Sequence, residues 1–174
     1  MVSLQGHQVY LRALEKEDLD FLYQLENDTA NWEISGTQTP YSKDVLQLYL
    51  DNAHLDIYEV KQLRLVICNQ AHQPIGLIDL FDFEPYHQRV GLGIIIQDHQ
   101  QRNKGIGTEA IALVTQYAFE TLGVKQVYAN ILEENAASLH LFEKLGFVSI
   151  GIKKDWIRSG KSFKNEILLQ KINS

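Results

Sequence analysis

The 174-residue chain holds a single cysteine, Cys68, and only three prolines, Pro40, Pro74 and Pro85. A lone cysteine excludes an internal disulfide and any paired-cysteine motif, and it fits a reducing compartment. With so few prolines and no Ser/Gly/Pro-rich stretch, nothing marks a linker, so one domain spanning 1–174 is expected. That length is enough to bury a core. Long apolar runs are missing too. The longest, Val90 to Ile96, falls far short of the ~20 residues that span a bilayer, so no membrane partner is expected. Residues Met1 to Leu14 show no basic segment leading into an apolar one, so no secretory leader and a cytoplasmic location are expected. Nor is there a surplus of positive charge. Sixteen Lys and Arg stand against 22 Asp and Glu, a net charge of −6. This speaks against nucleic acid as a partner and permits a cationic substrate. The six histidines are scattered, and none sits at metal-ligand spacing.

The apolar pattern that is present predicts an α/β fold with a mixed sheet. Val9, Leu11 and Ala13 alternate as a first strand, and Leu19, Leu22 and Leu25 recur at helical spacing over Glu15 to Asn27. Trp32 to Pro40 reads as loop, and Ser42 as the N-cap of a second helix. From Leu63 the period changes to strand. Leu63 to Cys68, Pro74 to Glu84 and Arg89 to Ile96 are joined by short turns as an antiparallel meander. A helix from Thr108 to Leu122, a strand from Lys125 to Ile131 and a helix from Asn135 to Leu145 follow. Two strands near Phe147 to Ile152 and Lys164 to Gln170 close the chain. The expected sheet has six to seven mostly antiparallel strands, with about four helices and one parallel pair across the crossover after Ile96.

Arg102-Asn103-Lys104-Gly105-Ile106-Gly107-Thr108 lies between a strand end and a helix start. Glycines there allow a tight turn and a close approach of ligand to backbone. The free N–H groups and dipole of the helix start favour an anion, and Arg102 and Lys104 reinforce that preference. Pyrophosphate is the obvious candidate; the plain alternative is a turn with no ligand. A P-loop is excluded, because no lysine precedes Thr108. The Gly105-x-Gly107-x-x-Ala110 spacing matches a dinucleotide fingerprint, but three antiparallel strands precede it instead of repeated βαβ units.

A second motif, Asn135 to Phe147, begins 28 residues after Gly107. With Arg102-x-x-Gly105-x-Gly107, the run of Asn135, Ser138, Lys144, Gly146 and Phe147 resembles the GCN5-related N-acetyltransferase (GNAT) superfamily over almost the whole chain. Its spermidine and ribosomal-protein alanine acetyltransferase branches look most similar. The resemblance implies acetyl-CoA as co-substrate and no metal. Its pyrophosphate would lie on the glycine loop and its thioester against the backbone of Ile94, Ile95 and Ile96. Its pantetheine would lie near Asn135, Ser138, Phe142 and Lys144.

Direct acetyl transfer needs a neutral amine, a polarised carbonyl and a proton for the departing thiolate. The tyrosine that supplies this proton in many relatives is replaced by Phe142, and Ser138, one helical turn earlier, is the local substitute. Its plain alternative is a helix-start serine. A strand glutamate used as base in related polyamine enzymes is replaced by Gly91. Asp79 and Asp82 are the neighbouring carboxylates, with Asp79 as candidate base, and a water relay is the alternative. Glu33, with Asp79 or Asp82, could grip a cationic amine between carboxylates. The acceptor is thus expected to be a polyamine or diamine. A protein N-terminus is the first alternative, and a non-catalytic acyl-CoA-binding module is a second of a different class. Exposed edge strands suit a homo-oligomer.

Overall fold

The computed structural model describes residues 3–97 and 105–174. In chain order the strands are β1 (Val9–Ala13), β2 (Leu63–Asn69), β3 (Pro74–Glu84), β4 (Arg89–Ile96), β5 (Gln126–Leu132), β6 (Val148–Ser159) and β7 (Ser162–Ile172). The helices are α1 (Leu19–Glu26), α2 (Trp32–Ser35), α3 (Lys43–Asp51), α4 (Ile57–Val60), α5 (Ile106–Glu120) and α6 (Ala136–Lys144). One sheet in the order β1-β2-β3-β4-β5-β7-β6 holds all seven strands. Every neighbouring pair is antiparallel except β4 and β5.

The sheet is covered on both faces, which explains why β2 reads as a continuous apolar run. Leu65 and Ile67 join Ile78, Leu80, Val90 and Leu92 under Ile111, Val114 and Ala118 of α5. The alternate residues, Val66 and Cys68, pack with Leu77 against Leu22 and Leu25 of α1 and Leu46 and Leu50 of α3. Each such leucine or isoleucine contributes roughly 1.5–3 kcal/mol by leaving water. Cys68 is fully buried in this second core, as expected of a free thiol with no catalytic task.

Two helices exceed the expected four. Both are single turns, too short to show a period. Helix α2 lies in the expected loop and ends at Gly36, which takes a left-handed φ of +74°. Helix α4 starts at Asp56, whose carboxylate accepts from the N–H groups of Tyr58 and Glu59 at 2.9 and 3.0 Å. The last hairpin is also longer than expected, with β6 of 12 residues and β7 of 11. Most of β6 is exposed, so no buried face imposed an alternation that would reveal its length.

Candidate active site

The parallel pairing of β4 with β5 stops at Gly91 opposite Tyr128. Beyond that point β4 stays paired with β3 as far as Ile96, while β5 stays paired with β7 as far as Leu132. The two strands part, and a cavity of about 660 Å³ opens at the split. Ile94 and Ile95 line one side of it, Ala129 to Leu132 the other, and Asn135, Ser138 and Phe142 of the α6 region close that end. Asn135 caps α6, its Oδ1 accepting from the Ser138 N–H at 3.2 Å. Near the wedge, Gly105 holds a φ of +78° as it starts α5. Gly107 is buried, and a Cβ there would come within 3.2 Å of Leu141 Cδ1. The two glycines therefore serve different needs. The first makes the left-handed turn, and the second lets α5 approach α6.

The other end of the cavity is built from charged side chains. Glu26, Glu33, Asp79 and Glu166 line it, with Arg64 as the one arginine or lysine among the lining residues. Arg64 Nε and Nη2 donate to the two oxygens of Asp79 at 2.8 Å each, and Nη1 donates to Glu26 Oε1. Burial opposes the charge on Arg64, but Asp79 and Glu26 outweigh it and hold its pKa above the ordinary value. The Tyr49 ring faces the guanidinium at 5.7 Å, and burial raises the phenol pKa. Across the cavity Glu33 is held by Ser159 and by Lys164, the latter at 2.8 Å. Hydrogen bonds from Lys164 and Ser159 keep the Glu33 pKa below the usual carboxylate range. Lys164 also reaches Glu134 at 2.6 Å. A tie between α2 and the β6–β7 hairpin results.

Residues 8–148 match the acetyltransferase (GNAT) domain family. The chain belongs to that family. It is an acetyl-CoA-dependent N-acetyltransferase. Spermidine N(1)-acetyltransferase of Escherichia coli (strain K12) is 32% identical over 143 residues, 82% of this chain and 74% of that protein. The Vibrio cholerae protein of the same name is 32% identical over 146 residues, 83% and 81% of the two chains. A crystal structure of spermidine N-acetyltransferase from Vibrio cholerae in complex with CoA and spermine aligns with a TM-score of 0.86. Its identity is 26%, over 96% of each chain.

Within this acetyltransferase the expected site residues separate into groups. Ile94, Ile95, Asn135, Ser138, Phe142, Glu33 and Asp79 all line the cavity. Ile96 does not; it is 7% exposed within the main core. Lys144 is exposed and Asp82 is exposed, and neither is among the cavity-lining residues. A bulge between Phe81 and Glu84 gives Asp82 a φ of +49° and sends Phe83 into the core in its place. Ile106 is buried and Thr108 half-buried at the start of α5. Arg102, Asn103 and Lys104 lie outside the described residues. Asp79 corrects an expectation. Both its oxygens are taken by a guanidinium, so it is not poised as a free base.

Position 91 has a structural reason for being glycine. A Cβ there would sit 2.3 Å from Phe81 Cε2, so a side chain at 91 requires the Phe81 ring, which lines the cavity, to shift. Phe142 is 2% exposed and packs edge-to-face on Phe147 at 5.0 Å. Sequence reasoning missed Glu26, Arg64 and Glu166. Arg64 was detectable as a lone charge between the apolar Leu63 and Leu65, whereas Glu26 and Glu166 carried no local signal. Trp156 is 60% exposed, with Lys153 over its ring at 5.1 Å. Among the described residues no cluster of His, Cys, Asp or Glu could hold a metal ion, and no helix is long and apolar enough to cross a membrane.

Proposed function

We propose that this enzyme transfers the acetyl group of acetyl-CoA to a polyamine by direct attack within a ternary complex, in one domain covering 1–174. The observation that carries the reading is the acid-rich lining of the cavity, where Glu26, Glu33, Asp79 and Glu166 outnumber the three cations that hold them, Arg64, Lys153 and Lys164. An ammonium group leaves water at little cost only where anions receive it. The apolar surfaces of Leu46, Phe81 and Leu92 along the same walls suit the methylene spacers between such groups. The spermidine acetyltransferases named above add to this support.

Acetyl-CoA supplies an activated thioester. The parted edges of β4 and β5 fit its pantetheine arm, and the first N–H groups of α5 fit its pyrophosphate. The β4 backbone around Ile94 and Ile95 orients the thioester carbonyl. Asp79 is held by Arg64 and position 91 bears no side chain, so the proton of the attacking amine leaves to water in the cavity. Ser138 relays a proton from that water to the departing thiolate in place of the absent tyrosine, its hydroxyl giving one proton and taking back another. Positioning supplies much of the rate enhancement.

A panel of spermidine, spermine and N-terminal peptides, read by release of free CoA, tests the acceptor. Turnover of polyamines over peptides is expected; preference for peptides overturns the reading in favour of protein N-termini. Tight CoA binding without turnover on any amine would point to a non-catalytic module. We also place the protein in the cytoplasm as a homo-oligomer. Edge strand β6 carries Val148, Ile150 and Ile152 at half exposure or more, a surface that monomers seldom leave bare. A dodecameric structure of the Vibrio cholerae enzyme aligns with a TM-score of 0.80 at 28% identity. Sedimentation velocity decides between monomer and assembly.

A further inference from the structure

Gly91 and Gly93 are alternate residues of β4 and share one face of the sheet with their partners on β3, Phe81 and Asp79. The space beside each glycine is used differently. At Gly91 the Phe81 ring occupies the place of a side chain, 2.3 Å from where a Cβ would stand. At Gly93 that place stays open. Apart from its chain neighbours, a Cβ there would meet one atom within 4 Å among the described residues, Phe81 Cε1 at 3.8 Å.

The backbone does not call for glycine at 93. Gly93 lies inside β4 and is not one of the glycines with a positive φ. A glycine within a strand weakens it, and often marks a place where another molecule or chain comes close to the backbone. Gly93 is half-buried and lines the cavity. It stands opposite Asp79, which Arg64 holds, and directly precedes Ile94. An acceptor that passes the charged end on its way to a thioester at Ile94 and Ile95 therefore crosses this bare stretch of strand.

We infer that the bare backbone at Gly93, walled by the Phe81 ring, is the opening through which the acceptor amine reaches the thioester, so that position 93 sets how thick an acceptor the enzyme takes. This rests on the polyamine reading and sharpens it. The selection made here is steric. An aromatic ring and a side-chain-free strand receive the neutral amine that attack requires more readily than a hydrated ammonium.

The test measures kcat/KM for spermidine, read by CoA release, in the wild type, Gly93→Ala and Gly93→Val. The melting temperature and the Kd of CoA, by titration calorimetry, are measured beside it. Alanine is expected to lower kcat/KM about tenfold and valine about a hundredfold, as added carbons overfill a fitted space. Melting temperatures should hold or rise, because glycine is the poorest of the three in a strand. The Kd of CoA should stay at its wild-type value. A merely structural role would move stability and activity in the same direction. Wild-type kcat/KM in both variants overturns the inference and leaves the polyamine reading intact. So does a loss of activity that tracks a lower melting temperature or weaker CoA binding. If the valine variant fails to fold, Gly93→Ala alone decides, since its Cβ makes only an ordinary contact. Wild-type turnover of N-terminal peptides but of no polyamine overturns the polyamine reading, and the same series on the peptide then judges the opening at Gly93.

Discussion

The two ends of the cavity are made from different materials. The donor end is largely backbone: a left-handed glycine, the start of α5, the parted edges of β4 and β5, and the capped start of α6. The acceptor end is side chain, with charged groups from α1, α2, β2, β3 and β7. A backbone site serves any substrate that carries the common handle, and it tolerates change in most side chains around it. A side-chain site is tuned to one acceptor and depends on every partner in its network. One fold can thereby keep its donor and change its acceptor.

Breaking the acceptor network should have the largest effect. Arg64→Ala leaves Glu26 and Asp79 as neighbouring, mostly buried carboxylates without their shared cation. A stability loss of about 3–5 kcal/mol is expected in urea denaturation. A loss below about 1 kcal/mol, the range of exposed pairs, would mean that the acceptor wall is no more interdependent than a protein surface.

The donor end is sharpened by Ser138→Ala. As proton donor to the thiolate, Ser138 should carry about 10²-fold in kcat, with the melting temperature and the KM for acetyl-CoA near wild type. Unchanged kcat would give that proton to water and leave the donor end purely a backbone device. Asn135→Ala removes the cap of α6 and should cost about 1 kcal/mol, seen as a lower midpoint in thermal or urea unfolding. No change would show that α6 is held by packing alone.

The smallest effect belongs to the tie between α2 and the last hairpin. Lys164 and Ser159 depress the Glu33 pKa, so the folded state favours the carboxylate over its protonated form. The tie therefore stabilises fully above the unfolded value, about 4.3. It is lost as pH falls through the lower folded value. Melting curves of wild type and Glu33→Gln should differ slightly at neutral pH and converge in acid. A gap that persists in acid would mean that the tie acts through shape and not through charge.

Much of the donor end was legible because its signals are local. Asn135 as cap, Gly146 after α6 and the glycine pair at the start of α5 each depend on neighbours within a turn or two. The pair still concealed a difference. Gly105 answers to φ, but Gly107 answers to Leu141 on another helix, which no spacing reveals. At the acceptor end Glu33 and Asp79 were found as types, without their partners. Asp79 is met by Arg64 from the next strand, a pairing that depends on register and not on local pattern. Asp82 was misplaced because a bulge shifts the period of two.

The amino-acid sequence by itself determined the seven strands, the four longer helices and where those helices start. These follow from apolar period, side-chain caps and backbone freedom, all set within a few residues. Only the tertiary structure decided which cation holds which carboxylate. Arg64 meets Asp79 and Glu26 across 15 and 38 residues, and Lys164 meets Glu33 across 131. Such pairings depend on strand register and on helices docking over the sheet. The partner of each acid is therefore settled only when distant segments meet.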